Sequence, residues 1–172
     1  MGWRMVKRLR VAATAFGLLM PVAFGAKAAE LPDAIAAKDA VLVLQVHAEG
    51  AQIYECKADA SGKTTWHFRE PIASLLRDGK TVGRHFAGPS WEIDGSTIVG
   101  TAGGRAPGAT AKDIPWLKLS VSDRHGDGPL GNVTMVQRIN TKGGNVEGGC
   151  EKAGDFRTEP YSADYVFLRQ GP

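Results

Sequence analysis

From Val41 to Arg169 the chain alternates apolar and polar residues in short runs, and Gly or Asp interrupts the runs. Period-two alternation buries one face of a strand and fits no helix. The pattern predicts strands at Val41–His47, Ala51–Ala58, Thr64–Arg69, Thr81–Phe86, Ser90–Ile93, Thr97–Thr101, Leu117–Ser122, Asn132–Asn140 and Ala163–Arg169. The breaks carry turn chemistry. Asp94-Gly95 and Asp78-Gly79 are hairpin signals, because both residues of such a pair accept positive φ. Glu49-Gly50 reads as a third turn. Helix signals are thin: Asp33–Ala40 and Ile72–Arg77 each have room for a turn or two, and Gly103–Ala111 reads as loop. About nine short strands predict an all-β, single-domain antiparallel β-sandwich or barrel, with the choice between them open.

The first 28 residues have a different character. Arg4, Lys7, Arg8 and Arg10 precede an apolar run over Val11–Phe24, and Ala26-Lys27-Ala28 is a small-x-small cleavage site. These are the three parts of a secretory signal peptide, and the apolar run is too short to span a membrane. The expected mature protein is residues 29–172, a secreted or periplasmic domain with no stable membrane span after cleavage. No Cys lies near the cleavage site, which argues against a lipid anchor, and Leu9 separates Arg8 from Arg10, so the leader is not of the twin-arginine type.

Cleavage also changes the charge argument. The whole chain has 21 Lys+Arg against 18 Asp+Glu, and five of the basic residues precede the cut. That leaves 16 basic and 18 acidic residues, a net of −2. Phosphate binding needs a concentrated basic patch, and no such run is present, so no nucleic-acid partner is expected. The remaining residues, about 144, are enough for one domain with its own core.

Cys56 and Cys150 are the two cysteines. An even count in an exported chain favours a disulfide, whose loop of some 95 residues corresponds to about 4–5 kcal/mol on the chain-entropy model. Two unpaired buried thiols are the alternative. A metal site is disfavoured, since neither Cys has a second Cys or a His at ligand spacing. The histidines His47, His67, His85 and His125 are scattered and form no short-spaced pair. His67 alternates with Trp66 and Phe68 and reads as solvent-facing.

No Gly-x-Ser-x-Gly elbow and no Walker loop occurs, and no cofactor is implied. Asp123-x-His125-x-Asp127-Gly128 superficially resembles a calcium loop, but its third ligand position is His and its twelfth is Thr134. It reads as a polar hairpin loop. Asn132-Val133-Thr134 fits the glycosylation sequon, a short pattern with little weight here.

The densest cluster of polar and aromatic residues is His85–Gly95. Alternation puts Val82, Arg84 and Phe86 on one face and Thr81, Gly83 and His85 on the other, while Trp91 and Ile93 oppose Ser90 and Glu92. A turn at Gly88-Pro89 that pairs these strands brings His85 toward Glu92, an arrangement suited to general acid–base chemistry or to a structural polar contact. Arg138 shares a strand face with Thr134, Val136 and Asn140, and an acid partner is expected, with Glu92 and Asp164 the candidates. The same Arg is a candidate anion holder. Trp91, Trp116, Tyr161 and Tyr165 are candidates to line a ligand pocket or fill a core. The expected role is a non-catalytic binding or envelope-associated module for an unidentified ligand or envelope component. The alternative is a small cofactor-free hydrolase or isomerase using His85 and Glu92, with Arg138 holding an anionic substrate.

Several segments occur together in a characteristic order: Gln52-Ile53-Tyr54-Glu55-Cys56, Trp66-x-Phe68 with Pro71, His85-x-x-Gly88-Pro89-x-Trp91-Glu92, Asp94-Gly95-Ser96, Ile114-Pro115-Trp116-Leu117, Gln137-Arg138-x-Asn140-Thr141-x-Gly143-Gly144, Cys150, and Pro160-Tyr161-x-Ala163-x-Tyr165. This order resembles a secreted family of bacteria and fungi classed as a domain of unknown function, family 3455 of that series. The resemblance runs from about Leu31 to Arg169. It implies a secreted domain with both cysteines at family positions, and it supplies no activity, substrate or catalytic residue.

Overall fold

The structure is a computed structural model that describes Met1, Gly2 and residues 31–172. The expected leader and its cleavage site fall outside the described residues, apart from those first two.

Eight strands form one sheet: β1 (Ala40–Ala58), β2 (Thr64–Arg77), β3 (Lys80–Phe86), β4 (Ser90–Ile93), β5 (Ser96–Ala106), β6 (Trp116–His125), β7 (Met135–Gly143) and β8 (Phe156–Gln170). Each pairs antiparallel with the next, and β1 also pairs with β8, so the sheet closes into a barrel. Closure leaves no unpaired sheet edge. No helix occurs among the described residues.

The two Asp-Gly turns form as expected. Asp78 and Gly79 have φ of 51° and 73°, and Asp94 and Gly95 have φ of 43° and 83°. The third expected turn does not form. Glu49-Gly50 lies inside β1, and Gly50 pairs with Ala73 on one side and Tyr161 on the other. Gly is needed there for close approach rather than for reversal, since a Cβ would sit 2.0 Å from the Ile72 carbonyl oxygen. Two expected strands therefore merge into one of 19 residues. Ile72–Arg77 is likewise strand, the second half of β2. Ile72, Leu75 and Leu76 have helical spacing, but Leu75 is buried in the core while Ile72 is 57 % exposed. Residues 31–39 form isolated turns, and Gly103–Ala106 extends β5 rather than belonging to a loop.

The barrel has a filled end and an open end. At the filled end Val46, Leu75, Ile93, Ile98, Val136 and Phe167 pack inward. The connection between β6 and β7 caps them with Leu130 and Val133, both fully buried. The Asp-Gly turns lie at this end. The other end carries the connections 59–63, 87–89, 107–115 and 144–155, the last of them the longest in the barrel. A disulfide joins Cys56 near the end of β1 to Cys150 in the last of these connections.

Residues 31–39 lie on the outer face of the barrel. Gln137 Nε2 donates to the Ile35 carbonyl at 2.6 Å and Lys118 Nζ to that of Ala36 at 2.9 Å. That cover explains why Gln137, facing outward, is buried. Elsewhere the outer face carries polar pairs, including the Arg84–Glu92 ion pair and the His47–Asp164 hydrogen bond. No helix of the described residues is long and apolar enough to cross a membrane.

Candidate ligand-binding site

The open end of the barrel encloses a cavity of about 580 Å³. Its floor is aromatic. The His85 ring stacks on Trp91 with centroids 4.7 Å apart and planes 12° apart, and Tyr165 tilts against both. Gly100 makes room for this group, because a Cβ there would lie 2.9 Å from the Trp91 ring. The walls come from Tyr54, Phe68, Leu117 and Ile114. Such a volume lies within the usual range of small-molecule sites, about 300–1,000 Å³.

Register decides which polar residues reach the cavity. On β3 and β4, His85 pairs with Trp91 and Arg84 pairs with Glu92. Side chains directly opposite share a face, so His85 faces inward with Trp91, and Glu92 faces outward with Arg84. Arg84 Nη2 donates to Glu92 Oε2 at 2.7 Å. The expected approach of His85 to Glu92 therefore does not occur. The alternation had the faces right, but a meeting of the two residues needs the opposite parity of pairing.

His85 is 1 % exposed. Its Nδ1 lies 2.8 Å from the Ser90 carbonyl, which accepts only, so Nδ1 carries the proton and Nε2 is the basic nitrogen. Burial lowers its pKa to about 3, with the Ser90 hydrogen bond opposing and the Arg138 charge reinforcing the shift. The ring is neutral at pH 7.

Arg138 also faces inward, paired with Leu117 on β6 and Tyr165 on β8. Its expected acid partner is not there. Nε and Nη2 both donate to the Pro115 carbonyl, at 3.1 and 2.9 Å. Glu92 is held by Arg84, and Asp164 is held on the outer face by His47 and Asn140. The expected cluster of His85, Glu92 and Arg138 thus reduces to His85 and Arg138, which both line the cavity. Burial raises the pKa of both Tyr165 and Tyr161, with Arg138 opposing. The two hydroxyls lie 3.4 Å apart.

Of the other candidates, Trp91 and Tyr165 line the cavity. Trp116 precedes the inward Leu117 and points the other way, and it is not a lining residue. Gln52, Tyr54, Arg105 and Leu117 line the cavity without having been singled out from the sequence. Gln52 had a legible signal, since it shares the inward parity of Leu44, Val46 and Ala48. It is 2 % exposed, and its Nε2 has no partner. The Trp91 Nε1 is equally buried and unpartnered. No Asp or Glu lines the cavity among the described residues.

The mouth is held by its own hydrogen bonds. The Tyr54 hydroxyl donates to the Gly144 carbonyl at 2.7 Å, and the Gly143 amide donates to Asp113 Oδ1 at 2.7 Å. That amide and Thr110 keep the Asp113 carboxyl below its usual range.

A model of the family described as a protein of unknown function, DUF3455, matches residues 35–169. The chain belongs to the DUF3455 family. No curated protein and no solved structure matches it. The matched span contains all eight strands apart from the last residue of β8, both cysteines and every residue of the cavity. In this DUF3455 chain, then, the family segment is the barrel itself.

Proposed function

We propose that the protein is a non-catalytic binding module that takes a small molecule with an apolar body into the open end of the barrel. The observation that carries this reading is the aromatic-floored cavity of about 580 Å³ at the open end. Its chemistry supports binding over turnover. No Ser, Thr, Cys, Asp or Glu lines it among the described residues, so a conventional side-chain nucleophile or carboxylate acid is missing from the lining. His85, with its pKa near 3, is a weak base at pH 7. Glu92, its expected partner in an enzyme, points away from it. With the expected leader, the reading becomes that of an exported binding domain.

The test uses N-phenyl-1-naphthylamine, a neutral apolar dye that brightens on leaving water. The wild type should bind it saturably at one site. Leu117→Trp, which places an indole on the cavity wall, should abolish the signal while the far-ultraviolet circular dichroism stays that of the barrel. Unchanged dye binding by a folded Leu117→Trp variant contradicts the proposal.

A further inference from the structure

We infer that the ligand is an organic anion, an apolar body ending in a carboxylate or sulfonate that Arg138 receives; this rests on the cavity reading above. Two observations converge on it. Arg138 is half-buried and carries a full positive charge with no carboxylate within ion-pair distance among the described residues. A neutral carbonyl, that of Pro115, orients its guanidinium without cancelling the charge. A guanidinium has five N–H groups, and after two donated to Pro115 and one toward the Tyr165 hydroxyl, others are left to receive an anion. A charge taken partly out of water without a counterion is costly, and an incoming anion removes that cost.

The second observation is independent of charge. Gln52 Nε2 and Trp91 Nε1 are buried, lack partners and belong to side chains that line the same cavity. Both are donors, and buried donors in a folded protein are normally satisfied. A ligand rich in acceptor oxygens would satisfy them. Arg105, exposed at the mouth, has no ion-pair partner among the described residues. Asp113 and Glu147 share an adjoining pocket with it, so the charge of the rim is mixed, and Arg138 is the cation that the cavity itself presents to an anion. The aromatic floor and apolar walls exclude a bare inorganic ion as the natural fit, since most of the lining would then face water.

Two dyes of one skeleton separate charge from shape. 8-Anilinonaphthalene-1-sulfonate differs from N-phenyl-1-naphthylamine by a single sulfonate. The wild type should bind the sulfonate about ten-fold tighter, the effect of one charge-assisted hydrogen-bonded contact. Arg138→Gln should remove that preference, so that the ratio of the two affinities falls from about ten to about one. Equal binding of the two dyes by the wild type, or a preference that survives Arg138→Gln, overturns the inference and leaves the cavity reading intact. Sulfonate binding that survives Leu117→Trp overturns the cavity reading instead. Should Arg138→Gln fail to fold, the readout is the Arg138 Nε–H resonance of the wild type, which must shift on titration with the sulfonate. An unshifted resonance at saturation overturns the inference.

Discussion

His85 shows how one buried side chain ties stability to pH. Its folded pKa, near 3, lies below the value of about 6.5 expected when unfolded, so the unfolded chain binds the extra proton first. Its contribution is complete above pH 6.5 and is lost as pH falls from 6.5 toward 3. The total is on the order of a few kcal/mol. Urea denaturation between pH 7 and pH 4.5, above the range where Asp113 protonates, should show stability falling with pH. His85→Gln, which keeps a donor for Ser90, should flatten that slope. Glu92 gives the opposite expectation. Its partner Arg84 is 67 % exposed, and ion pairs on a surface contribute about 0–1 kcal/mol. Glu92→Gln should therefore shift the urea-derived stability by less than about 1 kcal/mol and leave dye binding unchanged. A large loss of either would mean that Glu92 reaches the cavity after all. Gly100→Ala presses a methyl against Trp91 and should cost about 1–3 kcal/mol by the same measurement.

Strands here are defined as much by what approaches them as by their own pattern. The all-β class, the Asp-Gly turns and most strand positions were legible because alternation and turn chemistry are local, whereas the choice of a closed barrel over a sandwich rests on the pairing of β1 with β8. The continuity of β1 was not, because Glu49-Gly50 looks like a turn until Ile72 is known to press against Gly50. The pairing of His85 with Trp91 rather than with Glu92 depends on a register that one residue of slippage would reverse. Pro115 as the acceptor for Arg138 lies 23 residues away and leaves no mark in the sequence. Among the connections, the one carrying Cys150 is tied to β1 across 94 residues, and Asn145 and Val146 beside it line the cavity. Replacing both cysteines by Ser should lower stability by about 4–5 kcal/mol on the chain-entropy model. It should also weaken dye binding more than Gly100→Ala does, since it releases part of the wall. Titration of the folded double variant checks this, and wild-type affinity would show that the tether does not shape the site.

From Leu31 on, the chain is a barrel stoppered at one end by Leu130 and Val133 and open at the other onto an aromatic cavity that no Asp or Glu lines among the described residues. Export is part of the proposal, and intact-mass analysis of protein recovered outside the cytoplasm should give a chain beginning at or near Ala29; retention of the leader would contradict it. Residues 31–172 contain three tryptophans, Trp66, Trp91 and Trp116, and only the first two line the cavity. Their indole N–H resonances can be followed by nuclear magnetic resonance during titration with 8-anilinonaphthalene-1-sulfonate. A ligand seated in the open end of the barrel should shift Trp91 and Trp66 to saturation while Trp116 stays in place. A saturating titration that moves Trp116 and leaves Trp91 unshifted would contradict that placement.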